Sequence, residues 1–63
     1  MVLEDNRTHE REAQAHERSA DRCERHAVVL ERHGAQRSAE TERRYAAQER
    51  DAARAARRSI VRG

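Results

Sequence analysis

The segment HEREAQAHERSADRCERHAVVLERHG, residues 9–34, repeats itself every seven residues. Glu-Arg falls at 10–11, 17–18, 24–25 and 31–32, four times in strict register. Beside it Ala13, Ala20 and Ala27 recur at the same interval, as do His9, His16, Cys23 and Leu30, offset by three. Two lines separated alternately by three and four residues share one stripe of an α-helix, the a and d positions of a heptad. Here the alanines take a, and the His/Cys/Leu line takes d.

Past Gly34 the pattern resumes out of phase. Glu-Arg returns at 42–43 and 49–50, and the step from Glu31 to Glu42 is eleven residues, a four-residue insertion into the heptad count. Ala39, Ala46, Ala53 and Ile60 continue one line; Ala35, Glu42, Glu49 and Ala56 form its neighbour less cleanly, and Tyr45 and Ala52 flank the stripe. Gly34 follows Arg32 and His33, which suit a last helical turn, and glycine is the usual residue just beyond a helix C-terminus. Ser38 is placed to cap a second helix, with Glu40 and Glu42 in its first turn.

These signals predict an all-α chain with one domain spanning 1–63. Its form is an antiparallel αα-hairpin with helices at about 6–32 and 38–61, a turn at Gly34 and an Ala-rich heptad seam. The rival is one long helix in a coiled coil, with Gly34 tolerated at a cost of about 1 kcal/mol.

Composition says what such a hairpin lacks. The hydrophobic fraction is 35%, but twelve of those residues are Ala. The larger aliphatics are Val2, Leu3, Val28, Val29, Leu30, Ile60 and Val61, and Tyr45 is the sole aromatic. A core built from these is too small for a stable monomer, so the helices are expected to need another chain. Two hairpins closing into a four-helix bundle, or docking on a larger assembly, would supply it. Disorder is the other outcome for a chain that is 41% charged, but it has no Pro, two Gly and an abundance of helix formers. The charge is split between the arms. Residues 1–34 hold six Arg and eight acids, net −2, and residues 35–63 hold eight Arg and four acids, net +4. That split favours antiparallel pairing, although an exposed pair is worth only about 0–1 kcal/mol.

The helix–helix interface is therefore assigned to Ala13, His16, Ala20, Cys23, Ala27, Leu30, Ala39, Ala46, Ala53, Ala56 and Ile60. Polar His9 and His16 would set its register. Cys23 excludes an internal disulfide and reads as a small buried hydrophobe. Cys23 and His26 are neighbours on a helix, but the pair supplies only two ligands, so no metal and no cofactor is expected. His9 and His16 are each followed by Glu, but positions 13 and 20 are Ala where a zinc-protease motif needs a second His. No carboxylate pair, nucleophile constellation or Gly-rich loop stands out, so no enzyme, no catalytic residue and no small-molecule substrate is expected.

Arg43, Arg50, Arg54 and Arg57 share a face by their spacing and could grip a phosphate backbone; without interleaved aromatics, nucleic acid would be read by shape and phosphate alone. The leading expectation is instead a structural or interaction module that self-associates or docks through the Ala seam, with nucleic-acid binding as the alternative. Val28 and Val29, at b and c positions, point to a further contact. Val2-Leu3 and Ile60-Val61 would meet at one end of the hairpin. No run of larger aliphatics exceeds three residues (Val28-Val29-Leu30) and the N-terminus lacks a signal-peptide pattern, so no membrane contact and a cytoplasmic location are expected.

Overall fold

The computed structural model describes residues 2–60, and the side chains of residues 4–60. Two helices make up the fold: α1 (Val2–Arg32) and α2 (Gln36–Arg58), packed antiparallel as a hairpin. Ala, Arg, Glu and Gln lose little side-chain freedom in a helix, which is why both arms run without interruption. Glu4 and Asp5 in the first turn of α1, and Arg57 and Arg58 in the last turn of α2, complement the helix dipoles. Two threonines inside the helices, at 8 and 41, turn their hydroxyls back on the carbonyls of Glu4 and Arg37 at 3.0 and 3.1 Å.

The turn is three residues long. Gly34 has φ +78°, the left-handed conformation that residues with a Cβ avoid. The Ala35 amide donates to the Leu30 carbonyl at 2.8 Å, and the Gly34 amide donates to Glu31 at 3.0 Å. This 6→1 and 5→2 pair is a Schellman cap, and it satisfies two of the carbonyls left open at the end of α1. The chain therefore reverses at Gly34 and does not continue as one long helix.

The helix limits differ from those the sequence suggested. α1 starts at Val2 instead of near residue 6, because Glu4 and Asp5 stabilise its first turn. α2 starts at Gln36, two residues before the expected 38, and ends at Arg58, short of 61. Ser38 consequently lies inside α2 and caps nothing. The N-cap is Ala35, which has no side-chain oxygen to offer; its carbonyl accepts from the Ala39 amide at 3.0 Å. The first turn holds no acid, since Glu40 and Glu42 fall one turn later. The tight Schellman reversal leads straight into α2 and leaves no spacer in which Ser38 could act. Ile60 lies beyond the Ser59 C-cap, half-buried and outside the helix. The side chains of Val2 and Leu3, and the whole of Val61, lie outside the described residues, so the expected end cluster does too.

The molecule is a rod of 49 × 12 × 11 Å. Ala13, Ala20 and Ala27 of α1 face Ala39, Ala46, Ala53 and Ala56 of α2 across its axis, each buried to 9% exposure or less. Among the described residues no larger side chain is fully buried. Alanine at every seventh position lets the backbones approach closely, but each methyl contributes only about 0.8 kcal/mol of burial.

Candidate protein-interaction surface

The Glu-Arg repeat closes one flank of the seam. Glu17, Glu24 and Glu31 occupy e positions on α1, and Arg57, Arg50 and Arg43 occupy e positions on α2. They pair as Glu31–Arg43, Glu24–Arg50 and Glu17–Arg57. Each step of seven along one helix is matched by seven back along the other, so one heptad pitch shared by two antiparallel helices generates the whole ladder. Arg57 also reaches Glu10 at 3.1 Å, and Arg50 lies 3.7 Å from Asp21. The Arg57 and Arg50 guanidiniums hold the carboxyls of Glu10 and Glu24 below the usual carboxylate range, and those carboxylates in turn raise the two arginines.

The d positions are more polar. His16 Nδ1 hydrogen-bonds Glu49, and His26, from the adjacent g position, approaches Glu42 at 3.4 Å. Cys23 is half-buried, and burial together with the neighbouring Glu42 carboxylate pushes its thiol up, away from the thiolate a nucleophile would need. Leu30 is half-buried at the turn end of the same line. Among the described residues no three His, Cys, Asp or Glu side chains are arranged to hold a metal ion, and no helix is long and apolar enough to cross a membrane.

The structure brings seven of the eleven residues assigned to the interface together as the buried alanine seam. His16, Cys23 and Leu30 border it half-buried, and Ile60 stands apart. The arginines assigned to phosphate divide. Arg43, Arg50 and Arg57 turn towards α1 and its carboxylates, whereas Arg54 pairs with Asp51 on its own helix. Glu42 and Glu49, which interrupt the alanine pattern of the second arm, are the partners of His26 and His16; the interruption itself was the signal that these positions face polar groups. Val28, Val29 and Tyr45 are the exposed large apolar side chains among the described residues. Two open depressions near the end of α2 are lined mainly by Arg54 and Arg57, with Arg58 and Ile60 in one and Glu17, Arg50 and Ala53 in the other.

Comparison with protein-family models, curated proteins and solved structures finds no match to this chain.

Proposed function

We propose that this chain is a non-enzymatic structural or protein-interaction module, a helical hairpin that acts by associating with itself or with a larger assembly. One observation carries the reading: the only fully buried side chains among the described residues are alanines. A seam of methyl groups flanked by exposed ion pairs stabilises a hairpin weakly, because surface pairs contribute about 0–1 kcal/mol each. Further burial against a second protein surface is what makes such a fold persist. The seam itself is filled by the hairpin's own two helices, so association uses an outer face.

The ion-pair ladder also ranks this reading above nucleic-acid binding. Arg43, Arg50 and Arg57 are already engaged by carboxylates, and a phosphate backbone would have to displace them. The test is mass in solution, by analytical ultracentrifugation, together with helicity by circular dichroism over a dilution series. The reading expects mass above the monomer and helicity that falls on dilution. A fully helical monomer whose melting temperature does not depend on concentration would overturn it.

A further inference from the structure

All six arginines of α1 are exposed and share its outward face. Arg7, Arg11, Arg18, Arg22, Arg25 and Arg32 fall at b, c and f positions, and Arg11, Arg18, Arg25 and Arg32 form a strict f line. Seven residues of helix put these four about 10.5 Å apart, along a ridge about 32 Å long. None of the six forms an ion pair with another described residue. Arg22 donates one hydrogen bond, to Ser19 Oγ at 3.1 Å. The ladder explains the missing carboxylates, because it draws Glu10, Glu17, Glu24 and Glu31 towards α2. Between residues 7 and 32 the one acid left on the outward face is Asp21, 3.7 Å from Arg50. Like charges three or four residues apart, as in Arg7–Arg11, Arg18–Arg22 and Arg22–Arg25, destabilise a helix. A solvated face ordinarily mixes both signs, whereas this one keeps a repulsion that an opposing row of carboxylates would remove.

We infer that the outward face of α1 docks on an acidic helical surface of a different protein. The inference rests on the interaction-module reading and names the partner's chemistry. Charge complementarity selects carboxylates, which a guanidinium grips through two parallel hydrogen bonds. Pitch selects a helix, since glutamates at every seventh position of a partner helix repeat at the same interval of about 10.5 Å. Val28 and Val29, 42% and 48% exposed, lie at b and c between Arg25 and Arg32. They offer apolar contact that another protein can cover and a phosphate backbone cannot, which favours protein over nucleic acid. A second copy has no matching acidic row. The f line of its α2 reads Arg37, Arg44, Asp51 and Arg58, with Asp51 engaged by Arg54, and the glutamates of its α1 are held in the ladder.

The probe is a labelled synthetic helical peptide with glutamate at every seventh position and leucine beside it. Its counterpart with glutamine in place of glutamate is the control, and duplex DNA of equal charge is the competitor. Fluorescence anisotropy with the full chain at about 0.15 M salt should show binding of the acidic peptide, weakening as salt rises, and none of the control. Arg18→Gln together with Arg25→Gln should weaken binding about fivefold or more. Arg37→Gln together with Arg44→Gln, on the outward face of α2, should change it less than about twofold. All four positions are exposed, so circular dichroism should report unchanged helicity in both variants. Val29→Gln should weaken the acidic peptide about threefold and leave the weaker binding of DNA as it is. Equal effects of the two double variants would overturn the assigned face, and DNA binding tighter than the acidic peptide would overturn the partner. A chain that self-associates but does not distinguish the two peptides overturns this inference and keeps the interaction reading; one that stays monomeric and binds neither overturns both.

Discussion

Replacing Gly34 with L-alanine and with D-alanine should move stability in opposite directions. Gly34 sits at φ +78°, and a Cβ built there meets no heavy atom within 4 Å. The effect is thus confined to the backbone. An L-residue held in the left-handed region costs about 1–2 kcal/mol. Alanine also restricts the unfolded chain, which returns about 0.4–1 kcal/mol. The net for Gly34→Ala is a loss of about 1 kcal/mol. D-alanine keeps the entropic gain and prefers positive φ, so it should stabilise by about 0.4–1 kcal/mol. In a chain of this size, 1 kcal/mol shifts the melting temperature by about 4–8 °C. A chain of 63 residues can be made by chemical synthesis, and thermal melts of the three forms at one fixed concentration measure the difference. Small-angle scattering on the L-alanine form should still report a rod near 49 Å in length. If Gly34→Ala stabilises, or lengthens the particle towards the roughly 90 Å of a continuous helix, the Schellman reversal is not what sets the fold.

Ala20→Glu and Ala53→Glu should each disrupt the hairpin outright, seen as loss of helicity at concentrations where the parent chain is folded, because a charge enters a seam built for methyl groups. Glu24→Gln together with Arg50→Gln should give a double-mutant coupling of no more than about 1 kcal/mol that shrinks with salt, since the pair is exposed. The carboxyls of Glu10 and Glu24 are held below their ordinary 4.5 in the folded state. Their contribution is therefore present above that value and is lost as the pH falls through the depressed folded-state values. Acid titration of helicity should show this loss, and Arg57→Gln together with Arg50→Gln should reduce it. Duplex RNA or DNA should bind negligibly at about 0.15 M salt; tight binding that is lost on changing Arg50 and Arg54 to Gln would reverse the order of the two functional readings.

The heptad repeat by itself determined the helices and their alanine stripes, whereas the choice between a hairpin and one long helix was made by the cap at Gly34. Ala13, Ala20 and Ala27 can lie on one line only in a helix, and Gly34 breaks the phase between two such lines. Helix ends were less legible. Ser38 carries the side chain of a cap, but capping depends on where the preceding turn releases the chain, and the compact reversal at Gly34 released it at Ala35. The arginines illustrate the same limit. Spacing puts Arg43, Arg50, Arg54 and Arg57 near one another, yet it cannot say what they face. The antiparallel register decided that, turning three of them onto Glu31, Glu24, Glu17 and Glu10 and leaving Arg54 with Asp51. Periodicity is a property of one helix, fixed by 3.6 residues per turn, whereas the partner of each side chain is a property of two helices and exists only once their relative register is set.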